Sequence, residues 1–323
     1  MGIVDITAAE QPKRKRADGA DHPLGEVFRR NYEPKGRRYS YLWRTLERYR
    51  KAPVNDEKFE IEDPAAAAQE IKEMAQEMGA DVVRIAEFEP SLTFEDAERL
   101  DHKFVIVFAK SMSYDMMIDI GPNSQEEVHR IYYTLNDIGS RLAMRIGAFG
   151  YSARMHSNGG EFPLPAYGQL SGLGELGKHG SLISPELGSS FRLCAVSTDM
   201  PLIADGQEDH GIDEICSTCN VCERFCPGGA ISPDKKTVAG VHRWVVDTPA
   251  CQPYFYGLYG CKICLMVCPF NARSNLKEAF KPVAADIRKA RNAEGLLNMI
   301  QERSKLSIDH IEDFKNLLAK EET

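Results

Sequence analysis

The stretch "CSTCNVCERFCP", residues 216–227, places four cysteines at the spacing C-x₂-C-x₂-C-x₃-C-P. Bacterial ferredoxins use this run to hold 4Fe–4S clusters: three thiolates bind one cluster and the fourth binds a second. A second group follows, in which nine residues separate Cys251 from "CKICLMVCP", residues 261–269. Eight ligands at this spacing predict a small domain organised by two 4Fe–4S clusters.

The ferredoxin crossing rule sorts these cysteines into two sets of four. The first cysteine set is Cys216, Cys219, Cys222 and Cys268, and the second cysteine set is Cys226, Cys251, Cys261 and Cys264. Zinc is the alternative, because paired C-x₂-C motifs also bind that ion. The two Cys-Pro junctions and the crossed spacing favour iron and sulfide. The ninth cysteine, Cys194, lies in an apolar stretch and is expected to be a buried structural thiol.

The composition describes an ordinary globular chain of 323 residues, with 43% hydrophobic and 27% charged residues. A net charge of −8 gives no support to nucleic acid or a membrane surface as the main partner. The basic run at residues 13–16 is interpreted as part of a solvated arm. Since no apolar run reaches bilayer length and no export signal is evident, we expect a cytoplasmic protein without a membrane segment.

The pattern of elements predicts four regions along the chain. These are an N-terminal extension over residues 1–60 with a short helix near residues 41–50, a domain over 61–208, the ferredoxin-like domain over 209–275, and a helical segment over 276–323. In the second region, Asp63 is expected to cap a helix that begins at Pro64 and ends near Gly79. Strands are predicted at residues 81–88 and 103–110, and a long helix at 124–150. This alternation indicates an α/β layered fold.

The block "SGLGELGKHG", residues 171–180, matches the G-x-G-x-x-G spacing of a dinucleotide-binding turn. Such a turn follows a buried strand directly and opens a helix. Here two prolines precede the block, and "KHGSLISPELGSSF" breaks with glycine and proline before a helix can form. The context therefore argues against a nicotinamide cofactor.

Together, "GYSARMHSN", this glycine block, "TDMPL" and the two cysteine groups make residues 60–275 resemble the cobalamin-dependent reductive dehalogenases, whose shared relative is epoxyqueuosine reductase. The resemblance implies a nitroreductase-like α/β (α+β) domain that holds base-off cobalamin, with the two-cluster ferredoxin-like domain over it. Its glycines would let the backbone lie against the flat corrin. The implied cobalamin contacts are Gly172, Leu173, Gly174, Gly177, His179 and Gly180.

The resemblance also implies three catalytic residues. Tyr114 lies just past the second predicted strand and matches the family's proton donor. Lys178 matches the cation beside that donor, and Asn158 matches a third catalytic position. A tyrosine with a pKa near 10 is a reluctant acid, and an ammonium group beside it stabilises the phenolate. His156, His179 and Glu161 are close in sequence and are candidates for lining the same pocket, without an assigned role.

The function expected is reductive cleavage of a carbon–halogen bond in an organohalide, with electrons from an external donor such as a ferredoxin or flavodoxin. One alternative is a tRNA-modifying reductase like epoxyqueuosine reductase, and another is a non-catalytic cobalamin-binding electron-transfer protein. The tRNA-modifying relatives usually carry "GLGWIGKN", whereas this chain has "GLGELGKHG". The block is a mixture, because it has the Glu of one group and the Lys of the other. The helical repeats that the tRNA-modifying relatives often carry are not evident, and we therefore favour the dehalogenase branch.

Overall fold

The computed structural model describes residues 4–6, 10–11, 34–117, 119, 121–273, 298 and 302. The basic run at 13–16 and nearly all of the predicted C-terminal helical segment lie outside the described residues. The strands are β1 Val82–Glu87, β2 Phe104–Ser111, β3 Ala153–His156, β4 Glu175–Leu176, β5 Leu182–Ile183, β6 Phe191–Thr198, β7 Lys236–Val238 and β8 Val241–Arg243. The α-helices are α1 Pro34–Leu46, α2 Pro64–Glu77, α3 Tyr114–Met117, α4 Pro122–Ala148, α5 Leu164–Leu170, α6 Ile212–Thr218, α7 Val221–Phe225, α8 Thr248–Gly257 and α9 Ile263–Met266.

The centre of the fold is a four-stranded sheet in the order β1-β2-β6-β3, in which every neighbouring pair is antiparallel. The mixed helix and strand class expected from the sequence is confirmed. The carboxyl end of β2 pairs with the amino end of β6, so that Ser111 lies opposite Phe191 and Lys110 opposite Arg192. The segments that follow β2 and precede β6 therefore meet at one edge of the sheet.

Alternation along the strands divides the core into two layers. In β2, Ile106 and Phe108 pack with the residues of α2 and α4, whereas Val105, Val107 and Ala109 pack on the other face with α5. A strand buried on both faces reads as a continuous apolar run, which explains the sequence "FVIVFA". This sandwiched sheet is the rigid platform from which the functional segments extend.

One glycine lets the long helix α4 pack close against the sheet. A Cβ added at Gly139 would lie 2.5 Å from Met155 Cγ, 3.2 Å from Cys194 Sγ and 3.3 Å from Phe108 Cζ. Cys194 is fully buried in β6, as its apolar context predicts. Its thiol is thus a packing element beneath the helix.

The element boundaries predicted from capping signals hold. The Asp63 side chain accepts hydrogen bonds from the N–H groups of Ala65 and Ala66, at 2.9 and 3.1 Å, and α2 ends just before Gly79. The helix expected near residues 41–50 was placed too late, because α1 ends at Leu46 and a 3₁₀ turn covers Glu47–Tyr49. Pro34 opens that helix, and proline is favoured in a first turn.

The second unit is built from short elements around the cysteines, α6 to α9 with the β7–β8 hairpin. The N-terminal residues Val4 and Ile6 pack against Val241 of this hairpin, and the Gln169 side chain donates to Val4 O. Part of the extension thus lies between the two units, in line with an arm wrapped on the body. Among the described residues, no helix is long and apolar enough to cross a membrane.

Candidate functional site

The fold brings the cysteines together in the two predicted sets. All four members of the first set line one cavity, which we call the cysteine cavity. Its remaining wall consists of Lys178, His179, Ile183, Pro269 and Phe270. In the second set, Cys264 feels the charges of Cys261, Cys226 and Cys251, and also that of Cys222 from the first set. Helices α6 and α7 carry the first run, whereas α8 and α9 carry Cys251 and Cys264. The crossed assignment of the eight cysteines to two clusters stays a prediction.

The chemistry of the thiols fits metal clusters. Burial raises the pKa of Cys222 and of Cys261 to about 12, and repulsion by neighbouring thiolates adds to the effect. Crowded, buried thiolates therefore need bound cations to be stable, and iron supplies them.

The glycine block forms no dinucleotide turn. Its centre is the two-residue strand β4, which pairs with β5 so that Glu175 lies opposite Ile183. A Cβ at Gly174 would lie 2.1 Å from Ile183 O, and one at Gly177 would lie 2.4 Å from Ile183 Cδ1. The block thus folds back on itself as a tight hairpin.

The outer two glycines of the block have left-handed backbone, with φ of +72° at Gly172 and +76° at Gly180. Their missing side chains face Gly206 O and Val246 Cγ2, at 2.7 and 2.8 Å. The side chain of Leu173 is fully buried in the core. We expected the glycines to leave room for a flat cofactor, but the chain's own packing already requires all four. Contact between this block and cobalamin stays a prediction.

Glu175 ties the glycine block to the iron–sulfur unit. Its buried carboxylate accepts hydrogen bonds from the backbone N–H groups of His210 (2.6 Å), Ile212 (3.3 Å) and Asp213 (3.0 Å). These N–H groups open α6, the helix that carries Cys216. A carboxylate is favourable there because it satisfies free N–H groups at the positive end of a helix.

Lys178 and His179 come shortly after Glu175 in the chain and line the cysteine cavity. The Lys178 ammonium group is buried, 3.4 Å from Asn220 Oδ1, 3.9 Å from Glu223 Oε2 and 5.0 Å from the centre of the Trp244 ring. Lys178 therefore faces the first cysteine set, and its predicted role beside Tyr114 stays a prediction. Burial lowers the pKa of His179 to about 4, so its imidazole is neutral near pH 7.

A second cavity, of about 150 Å³, lies at the amino end of β6, and we call it the strand cavity. It is lined by Tyr132, Asn158, Leu164, Pro165, Ser181, Leu182, Ser189, Phe191, Arg192 and Leu193. Arg192 lies 5.8 Å from the Tyr132 ring centre, and its buried Nε has no hydrogen-bond partner among the described residues. Leaving a buried N–H unpaired is costly, so this donor fits a ligand that offers oxygen acceptors.

Tyr114 opens the short helix α3, three residues beyond the end of β2. It is half-buried against the main core. The backbone N–H of Met112 donates to Ser190 O at 3.0 Å, which joins this segment to the start of β6. The segment of Tyr114 and the strand cavity thus lie at the same edge of the sheet. Asn158 lines that cavity, and both catalytic assignments stay predictions.

His156 and Glu161 support the turn that carries Asn158. His156 Nδ1 lies 2.6 Å from Glu161 Oε2 and its Nε2 lies 2.7 Å from Ser197 Oγ, while the Arg154 guanidinium donates to Glu161 Oε1 at 2.5 Å. Although burial raises the pKa of Glu161, the hydrogen bond from His156 and the charge of Arg154 together lower it to about 2. This buried network fixes the turn in place.

Sequence reasoning missed three polar residues of the site. Arg192 is a lone charge in the apolar strand "FRLCAV", and that isolation was a usable signal. Lys262 is buried, and its ammonium group donates to Tyr259 O and Gly260 O at 2.6 and 2.9 Å. Glu175 was noted only as a letter of the motif, because its three partners lie more than thirty residues away.

Comparison with known proteins agrees with this architecture. Residues 215–272 match the family model described as a 4Fe-4S dicluster domain, so the predicted iron–sulfur domain is confirmed. The tetrachloroethene reductive dehalogenase of Sulfurospirillum multivorans is 34% identical over 178 residues, which are 52% of this chain and 35% of that protein. The epoxyqueuosine reductase of Leadbetterella byssophila is 33% identical over 135 residues, 36% of this chain and 40% of that protein.

Among solved structures, the catabolic reductive dehalogenase NpRdhA in complex with 3-bromo-4-hydroxybenzoic acid matches with a TM-score of 0.74. It is 23% identical, and the match covers 92% of this chain and 48% of that one. The chain thus spans less than half the length of these relatives. It is a relative of the reductive dehalogenases and shares their fold, with epoxyqueuosine reductase as a further relative, as the motifs indicate. Both groups are named as reductases, in agreement with the expected oxidoreductase class.

Proposed function

We propose that this chain is the reductase core of a cobalamin-dependent reductive dehalogenase, which cleaves the carbon–halogen bond of an organohalide. The observation that carries the proposal is the arrangement of two four-cysteine sets beside a cavity with an unpaired buried donor. A dicluster domain would supply electrons one at a time, and the relatives are named as reductases.

The strand cavity is the proposed contact region for cobalamin. Arg192 would donate its unpaired N–H to an amide oxygen of the cofactor, and the backbone from Gly172 to Gly180 would border it. At about 150 Å³, the cavity admits only part of so large a molecule. When bound, cobalamin would supply a strongly reducing cobalt centre. We expect the base-off form, without a nitrogen of the nucleotide base on the metal.

Electrons would enter from an external donor such as a ferredoxin or flavodoxin and pass through the two clusters. Tyr114 would donate the proton that replaces the departing halide on carbon. Asn158 would orient the substrate at the edge of the strand cavity. Lys178 would stabilise the negative charge of the Tyr114 phenolate, as the family resemblance implies.

The test is turnover by anaerobically purified protein loaded with iron, sulfide and cobalamin. We expect the chemically reduced protein to release halide from a halogenated phenol. Tyr114→Phe should bind cobalamin normally but lose about 10²–10⁴-fold in rate, the usual contribution of a general acid. Tyr41→Phe, on an exposed tyrosine of α1, is the matched control. Full activity in Tyr114→Phe would refute the assignment of the donor.

The alternatives give different results in the same preparation. Turnover of an epoxyqueuosine-containing tRNA stem-loop without halide release would replace the proposal by the tRNA-modifying class. Affinity for that RNA should then fall steeply with salt. Cobalamin that binds and is reduced, with neither reaction, would indicate an electron-transfer protein.

A further inference from the structure

His179 has a buried hydrogen-bond donor without a partner. Its side chain is 5% exposed, and its Nε2 contacts no acceptor among the described residues. The other ring nitrogen, Nδ1, accepts a hydrogen bond from the backbone N–H of Ser181 at 3.2 Å. A neutral imidazole carries one proton, so Nε2 must hold it. The family resemblance implies a cobalamin contact for His179, and no hydrogen bond of its ring was predicted.

The environment of that donor is the cysteine cavity. His179 lines it together with the four cysteines of the first set. A Cβ on Gly177 would lie 3.2 Å from His179 Cε1, so the glycine leaves room for the ring. The same segment acts on a sulfur of this set, because the backbone N–H of Lys178 lowers the pKa of Cys216 against the larger raising effect of burial.

We propose that His179 Nε2–H donates a hydrogen bond to a sulfur of the 4Fe–4S cluster held by the first cysteine set and raises the reduction potential of that cluster. The inference rests on the proposed ligand assignment of that set. Reduction adds one electron to the cluster, so its sulfurs become more negative and accept the hydrogen bond more strongly. The proton stays on nitrogen throughout, and the bond favours the reduced form.

The experiment is an anaerobic redox titration of the holoprotein monitored by EPR. The variants are His179→Leu, which removes the donor, and His179→Gln, which retains an N–H. His242→Leu removes an exposed histidine of β8 and serves as the matched control. In His179→Leu, we expect the reduced-to-oxidised ratio of one cluster to fall about tenfold at a fixed potential, a shift of about 59 mV for a one-electron couple. The glutamine variant should recover most of this shift, and the other cluster should not change.

Two results would overturn the inference. Unchanged potentials in an iron-replete His179→Leu protein would show that the donor does not reach the cluster. Unchanged potentials with weakened cobalamin binding would assign His179 to the cofactor, as the family resemblance implies. A wild-type protein without iron would instead refute the proposed function, so the two failures are distinguishable.

A measurement on the unmodified chain covers the case in which His179→Leu does not assemble. Histidine labelled with ¹⁵N should give a hyperfine coupling to one reduced cluster in pulsed EPR. That coupling should persist in His242→Leu and disappear in His179→Gln. Its absence from the labelled wild-type protein would refute the hydrogen bond.

Discussion

Replacing Glu175 by glutamine should loosen the iron–sulfur unit from the sheet domain. One carboxylate oxygen accepts the N–H groups of His210 and Ile212, and the other accepts the N–H of Asp213. A glutamine keeps one oxygen and turns an NH₂ group toward the remaining N–H, so that two donors face each other. It also removes a negative charge from the start of α6, which begins at Ile212.

The size of the effect follows from these contacts. A hydrogen bond to a charged group contributes about 1.5–3 kcal/mol. The variant also leaves one buried N–H without an acceptor, which is costly, so we use the higher part of that range. We expect Glu175→Gln to lower the free energy of unfolding by about 2–3 kcal/mol. Since 1 kcal/mol shifts the thermal midpoint of a domain of about 150–250 residues by about 2–4 °C, the midpoint should fall by about 4–12 °C.

The assay is anaerobic thermal unfolding with iron analysis before and after heating. Because α6 carries Cys216, iron should be lost at a lower temperature in the variant. Glu208→Gln is the control, since that side chain is 65% exposed and lies 3.9 Å from the His210 ring. A midpoint and iron content for Glu175→Gln equal to those of the control would refute the assigned role of the carboxylate.

Three further changes test other parts of the structure. Cys222→Ala should remove one of two clusters and destabilise the small domain, and iron should fall from about eight to about four per chain, measured anaerobically. Gly174→Ala should cost about 1–3 kcal/mol or more in unfolding free energy, measured by denaturation, because its Cβ would meet Ile183 O at 2.1 Å. Burial lowers the pKa of His129 to about 4, so stability should fall as the pH drops from about 6.5 to about 4, where only the unfolded chain binds the proton. His129→Gln should flatten that dependence in a pH series of unfolding midpoints, and an unchanged slope would contradict it.

Local signals in the sequence predicted several of the helices and strands and the metal chemistry. Capping at Asp63, the apolar run of β2 and the helical spacing of α4 are local signals, and each acts within a few residues of the chain. The cysteine spacing is equally local, because the ligands of one run lie on consecutive turns. The argument against a dinucleotide turn is also local, because such a turn needs a strand directly before its glycines and a helix directly after them.

Which polar groups share a cavity depends on long-range packing. The crossing rule already placed Cys268 with Cys216, whereas Glu175 meets α6 across more than thirty residues and that contact leaves no local pattern. The glycines of the block were assigned to a cofactor surface, but contacts with Ile183 and Val246 already require them. His179 and Arg192 show the same limit. An unpaired buried donor is defined by every atom around it, and the neighbours of a buried atom come from segments that are distant in the chain.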